Sequence, residues 1–252
     1  MKSIVLEVSS WGRSSNGATN NRQYITSDKE YFVSNDKVKN ISDEEYGKVI
    51  KFIQEKMIGH NYKNDIIYDY GCSVKATFEG NEICVSNVEP LYEDALLLFK
   101  EIGGQSITAE DISKIENKYK EYNYYSKKNE LIEKSVLYIE KRCLGLKYEE
   151  SLKIITNDKF LYLTSINWND NLSVFPNYEI KEIRILSDDE YNIIIKYIQK
   201  YLIGKQYKRE LIKHSYTYGV YARYNYYKFD SFNNLKIYKN CDKFLRKKIK
   251  FD

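Results

Sequence analysis

Histidine and proline occur twice each among 252 residues, cysteine four times, and no stretch is both long and apolar. Each scarcity removes a class of explanation. Nucleophilic catalysis by Ser or Cys normally needs a histidine as base, and His60 and His214 are the whole supply. Cys72, Cys84, Cys143 and Cys241 are scattered without CxxC spacing, so no metal site is expected from them. Such thiols suit a reducing cytosol, where they pack as small hydrophobes. No run approaches the roughly 20 apolar residues of a membrane helix. The opening MKSIVLEVSS carries Glu7 inside its apolar stretch, which reads as a strand rather than a secretory signal. A cytoplasmic protein without a membrane partner is the expectation. Gly12 and Gly17 lie in a Ser/Asn/Gly stretch that meets neither GxGxxG nor GxxxxGK[ST] spacing, so no nucleotide or other cofactor is expected.

Charge is also scarce in net terms. Forty basic residues face 36 acidic ones, a surplus of +4 that by itself does not argue for nucleic acid. What the chain has in abundance is tyrosine, 26 residues, with many Lys, Asn and Ile. That joint enrichment fits the codon bias of an AT-rich genome, such as a low-GC bacterium or a phage or mobile element within one. Hydrophobic residues at 42% and charged residues at 30% are ordinary for a globular chain.

The strongest signal is an internal repeat. SDEEYGKVIKFIQEKMIGHNYK, from Ser42 to Lys63, aligns without a gap on SDDEYNIIIKYIQKYLIGKQYK, from Ser187 to Lys208, and about half the positions are identical. KSIVLEV from Lys2 resembles KSVLYIE from Lys134, and ITSDKEYFV from Ile25 resembles IITNDKFLYL from Ile154. Downstream, Tyr70-Gly71 matches Tyr218-Gly219, and Ser86-Asn87 matches Lys239-Asn240. The copies span 1–103 and 134–252, with a polar linker 104–133 between them.

Each copy centres on a helix whose ends are written in the sequence. Ser42 and Ser187 are N-caps with Glu45 and Glu190 three residues on, a capping box. Gly59 and Gly204 supply the left-handed stop. Tyr46, Val49, Ile50, Ile53 and Met57 recur at helical spacing, as do Tyr191, Ile194, Ile195, Ile198 and Leu202, and predict a buried stripe. Period-two stretches predict strands at Ile4–Val8, Gln23–Ser34, Ile66–Phe78 and Glu82–Ser86, and again at Ser135–Lys141, Leu152–Thr164, Leu211–Tyr227 and Leu235–Tyr238. Turns fall at Ser27-Asp28 and Glu79-Gly80-Asn81. The fold class is therefore α+β: two tandem antiparallel-sheet-plus-helix modules, ββαββ with an extra helix from Pro90 to Ile102. The linker, with Thr108 as N-cap and Asp111 at N3, predicts a bridging helix.

No catalytic, cofactor or metal residues are assigned. The acidic runs Asp43-Glu44-Glu45 and Asp188-Asp189-Glu190 stand in first helical turns, where carboxylates complement the helix dipole. The chain is read as a non-enzyme that binds and blocks another macromolecule, a bacterial immunity protein or an anti-CRISPR-like inhibitor from a phage or mobile element. Its partner is then a toxin or a defence nuclease. The segments the copies do not share, the loop Ser9–Arg22, the insertion Ile166–Arg184 and the linker, hold the candidate partner-binding residues Trp11, Arg13, Trp168, Phe175 and Tyr178, since Trp, Tyr and Arg most often anchor interfaces. The plain alternative is that each tryptophan plugs its own sheet. A second reading places single-stranded nucleic acid or nucleotide on the strand His214–Phe229, with Tyr216, Tyr218, Arg223, Tyr224 and Tyr226 as its face. The basic tail Lys243, Arg246, Lys247, Lys248 and Lys250 reads as the solvated side of a last helix.

Overall fold

The computed structural model describes residues 3–14, 17–63, 70–144, 148–167, 176–207 and 216–249. Strands β1 (Ile4–Ser14), β2 (Gly17–Thr26), β3 (Glu30–Val33) and β4 (Asp36–Asn40) precede helix α1 (Asp43–Phe52); β5 (Tyr70–Phe78), β6 (Asn81–Ser86) and α2 (Glu89–Ile102) follow it. After α3 (Ala109–Glu133) the series repeats: β7 (Ser135–Leu144), β8 (Tyr148–Thr156), β9 (Phe160–Asn167), β10 (Asn177–Ile185), α4 (Asp188–Tyr201), β11 (Tyr216–Tyr224), β12 (Tyr227–Phe232) and α5 (Leu235–Ile249). The strands form two six-stranded antiparallel sheets of matching order, β4-β3-β2-β1-β5-β6 and β10-β9-β8-β7-β11-β12. The fold is α+β, and each module runs ββββαββα. Two compact units, Met1–Tyr122 and Asn123–Asp252, divide within α3.

Local chemistry explains why both copies take the same path. Ser42 Oγ accepts from the Glu45 amide and Glu45 accepts from the Ser42 amide; Ser187 and Glu190 do the same. In the turn between β2 and β3, and again between β8 and β9, a lysine, Lys29 at φ 60° and Lys159 at φ 68°, holds a left-handed backbone that L-residues avoid at a cost of about 1–2 kcal/mol. From there each lysine reaches an acid in the first helical turn, Lys29 to Asp43 and Lys159 to Asp188. A second cation joins the capping acid in each copy, Lys39 at 2.7 Å from Glu45 and Arg184 at 2.7 Å from Glu190. The helices also end alike. The amide of Ile58 donates to the Ile53 carbonyl (3.1 Å) and that of Ile203 to the Ile198 carbonyl (3.0 Å), five residues back, and Gly59 and Gly204 follow at φ 75° and 73°. The hydroxyl of Tyr62 then donates back to the Lys56 carbonyl and that of Tyr207 to the Tyr201 carbonyl, both at 2.7 Å.

One face of each sheet packs on its two helices. Leu6, Val8, Ile25, Cys72, Val74 and Ala76 meet Val49, Ile53, Met57, Leu91 and Phe99; Leu137, Ile139, Ile155, Val220 and Ala222 meet Ile194, Ile198, Leu202, Cys241 and Leu245. Within the expected helical stripes Val49, Ile53, Met57, Ile194, Ile198 and Leu202 are buried, while Tyr46, Ile50, Tyr191 and Ile195 are partly buried at their rim.

The structure differs from the sequence reading in four places. Gln23–Ser34 and Leu152–Thr164 each break into a hairpin, because Lys29 and Lys159 turn the chain. Ser9–Arg22 is not a loop at its flanks: β1 and β2 carry their ladder out to Ser14 and Gly17. The stretch Ile166–Arg184 is not wholly an insertion, since β10 pairs with β9 just as β4 pairs with β3. Leu235–Tyr238 is the first turn of α5, opened by Asn234, whose Oδ1 accepts from the Ile237 amide at 3.0 Å. The repeat is correspondingly re-registered downstream. Asn87 (φ 56°) donates to the Cys72 carbonyl and Asn233 (φ 55°) to the Tyr218 carbonyl, so these are the equivalent residues in place of Asn240 and Gly71 with Gly219. The basic tail does lie on α5, whose opposite side buries Ile237, Cys241, Leu245 and Ile249.

The second capping acid gives a pH signature. Paired with the Arg184 guanidinium and accepting from the Ser187 amide, Glu190 is held down to about 2 from an ordinary 4.5. A carboxyl whose folded pKa is depressed adds stability above its unfolded pKa and loses it as pH falls towards the folded value. Glu190→Gln should therefore lose less stability than the parent between pH 4.5 and pH 2 in urea titrations; an unchanged acid limb would contradict the pairing.

Candidate functional site

The modules differ most on the sheet face turned away from α1–α2 and α4–α5. In the second unit that face is covered. Leu131 of α3, with Ile132, packs on Leu152 and Ile154, flanked by Tyr138, Tyr162 and Ile180. The Tyr124 ring packs at a tilt on Tyr178 of β10, 5.3 Å between centroids, and its hydroxyl lies 3.4 Å from Glu150. Beneath the helix, Lys128 (4% exposed) is joined to Glu150 (2% exposed), and Arg142 sits between Glu150, 3.0 Å away, and Glu140. Burial pushes the Glu140 carboxyl above its ordinary range despite Arg142 and Lys128. Burial likewise raises Tyr138 to about 12. This is a paired ionic layer under a helix, with donors and acceptors supplied from three elements, α3, β7 and β8.

In the first unit no helix among the described residues packs on the equivalent face. Its residues follow from the register: Glu7, Ser9 and Trp11 on β1; Asn20, Arg22 and Tyr24 opposite them on β2; Lys75, Ser73 and Gly71 opposite them on β5; and Phe32 beyond Tyr24 on β3. Arg22 donates to Glu7 at 2.7 Å and lies 4.7 Å over the Tyr24 ring, which stacks on Phe32 at 4.8 Å. Ser9 and Ser73 share a hydrogen bond of 2.8 Å. Trp11 crowns this surface and is 57% exposed. Its indole lies over the neighbouring strand: a β-carbon at Gly71 would come within 2.2 Å of the ring, so glycine there lets the ring rest against the backbone and a larger residue would push it away. The outer surface of the ring is thereby held ready for contact, with one face already desolvated by the sheet. A depression of about 290 Å³ beside Glu7 and Lys75 continues the surface to Glu82 and Cys84 on β6.

The chain matches no family model, no curated protein and no solved structure. The reading of this surface rests on its own chemistry.

Of the residues singled out from sequence, Trp11 stands on the open face and Tyr178 is built into the covered one, against Tyr124 and Tyr125. Trp168, Phe175, His214 and the side chain of Arg13 lie outside the described residues. The tyrosine strand is a hairpin turned at Asn225 (φ 52°) and Tyr226, which is 99% exposed. Tyr216, Tyr218 and Tyr224 share the helix-packed face, where Tyr218 meets Tyr238 of α5 at a tilt, 4.9 Å between centroids, and Tyr224 packs against the core. Arg223 points to the opposite face, donating to the Glu133 carbonyl at the end of α3. These five residues are thus divided between two faces and a turn. His60 is exposed beside a groove of about 720 Å³ lined by Met57, Ile58, Phe78 and Ile83; its Nε2 lies 3.0 Å from the Glu55 carbonyl and its ring stacks on Tyr62. Among the described residues, no group of three or more His, Cys, Asp or Glu is placed to hold a metal ion, and no helix is long and apolar enough to cross a membrane.

Sequence reasoning missed Gly71, Arg22, Lys75 and the Lys128–Glu150 layer. Only the strand register, which sets Trp11 opposite Gly71 and Arg142 opposite Glu150, connects them.

Proposed function

We propose that the protein is a non-catalytic binding protein that captures and blocks another macromolecule through the open face of its first sheet. The observation that carries this reading is Trp11, more than half exposed and laid over Gly71, where any β-carbon would displace its ring. Exposed, pre-positioned aromatics with a nearby arginine are what interface hot spots are made of, because little side-chain entropy is left to lose on binding. The charges around it are interleaved, Glu7 with Arg22 and Glu30 with Lys37, rather than a uniform cationic track. That composition favours a protein partner over a phosphate backbone. A toxin or a defence nuclease is the proposed partner class, with the protein acting in the cytoplasm as an immunity or anti-defence factor.

Trp11→Ala should weaken partner capture by about 30-fold or more, the equivalent of a hot spot of about 2 kcal/mol, with its melting curve nearly unchanged. Gly71→Ala should do the same by lifting the indole, visible as altered near-ultraviolet dichroism, and it should add nothing to Trp11→Ala. Capture that ignores both variants would remove the reading. Capture that falls steeply with rising salt would move the assignment to nucleic acid.

A further inference from the structure

The helix layers of the two modules carry opposite charge. Helices α1 and α2 hold seven acids and three lysines, whereas their counterparts α4 and α5 hold four acids and eight cations. With the buried Leu91, Ala95 and Phe99 of α2 set on Ile237, Cys241 and Leu245 of α5, Lys239 takes the place of Glu93 and Lys247 that of Glu101. In the first module those acids are answered from within the chain: Lys118 of α3 joins Glu93 and also Glu89, 2.7 Å away, and Lys48 joins Glu101 at 2.8 Å. In the second, Asp242 is taken by Lys153 and Arg246, and no acid among the described residues pairs with Lys236, Lys239, Lys243 or Lys247. We infer that this row of lysines on α5 is a seat for the phosphate backbone of a nucleic-acid duplex. The row lies in the other module from Trp11, so the inference goes beyond the docking reading and does not depend on it.

Helical geometry sets the four lysines in line. At 3.6 residues per turn they fall on the side of α5 opposite the buried Ile237, Cys241, Leu245 and Ile249, and all four are exposed. Neighbours three and four residues apart stand about 5–6 Å from each other. The row runs about 16 Å at the helical rise, roughly five nucleotide steps of about 3.4 Å along one strand of B-form DNA. Lys196 and Lys200 add two exposed cations on α4, which meets α5 through the stacked rings of Tyr197 and Phe244. Other anionic surfaces fit this row less well. The core of a protein interface is apolar and poor in charge, whereas no large apolar side chain of α5 is exposed; interfaces with DNA are far more positive than those between proteins. A helix lying on a membrane buries its apolar side in lipid, but that side of α5 packs on Val220 and Ala222 of its own sheet. Single strands are held by stacking bases on exposed aromatics, and α5 offers none. Lysines that meet phosphates alone carry no sequence information, so binding is expected to be indifferent to sequence.

The test is fluorescence anisotropy of a labelled DNA duplex of arbitrary sequence, titrated with the intact protein between about 50 and 200 mM salt. Neutralising about four phosphates predicts a slope near −3.6 for log K against log[salt], at about −0.9 for each phosphate. Each single Lys→Gln change at 236, 239, 243 or 247 should make that slope shallower by about one. All four together should weaken binding by about 100-fold or more at the lowest salt, with the melting curve unchanged, while arginine at the same four positions should preserve it. Trp11→Ala should leave duplex binding as it was. No binding by the parent protein, or binding untouched by the four glutamines, would overturn the proposal. Binding lost in Trp11→Ala would move nucleic acid to the first sheet and overturn it equally. A labelled single strand, poly-glutamate of matched charge or phosphatidylserine vesicles, if bound more tightly than the duplex, would replace it by a single strand, an acidic protein or a membrane.

Discussion

Glu150→Ala should destabilise the protein by about 3–5 kcal/mol, because it removes the acid that compensates a buried ammonium group. Lys128 and Glu150 are 4% and 2% exposed and are joined in an ion pair. Lys128→Met should cost less, since Arg142 remains 3.0 Å from the Glu150 carboxylate. The double variant Lys128→Met with Glu150→Ala should recover most of the loss, because the charge and its counter-charge leave together. Urea unfolding of the three variants gives the coupling directly. Additive losses in the double variant would show that the pair does not act as a unit.

Ile53→Ala and Ile198→Ala should each cost about 2–5 kcal/mol by opening a cavity under a close-packed helix. Both side chains are fully buried, both stand at the same place in the repeat, and both carbonyls accept the bond from five residues on that ends the helix. Ile50→Ala and Ile195→Ala, three residues earlier on the rim of the stripe, should cost less because those side chains are partly exposed. Thermal or urea melts decide between a repeat in which both copies bear equal weight and one in which a single module carries the fold.

How much of this was legible depended on whether the determining physics was local. Capping boxes at Ser42 and Ser187, stop glycines at Gly59 and Gly204, and the helical stripe between them are contacts made within a few residues, so their letters predict them. The turn lysines were visible as part of the repeat, but a left-handed lysine has no sequence signature, and the hairpins they create were read as single strands. The Tyr224–Tyr227 hairpin was hidden for a similar reason, since Asn-Tyr lacks the glycine that marks most two-residue turns. α5 could have been found from Ile237, Cys241, Leu245 and Ile249 at intervals of four, a period longer than the four-residue strand assigned to its first turn. On the candidate site, Trp11 was recognised by residue type alone. What makes it a site, a glycine on β5 sixty positions away, is a fact of strand register. The buried Lys128–Glu150 layer was illegible altogether, because charge on a polar helix predicts solvent and only the matching sheet face beneath it says otherwise.

Hydrogen exchange of the complex recovered from the native cell tests most directly whether the uncovered sheet face is where the protein works. Slowed exchange across Ile4–Ser14, Gly17–Thr26 and Tyr70–Phe78, with β7, β8 and β11 unchanged, is the pattern expected. Slowing centred on β11 and β12, with the first sheet as fast as in the free protein, would contradict it.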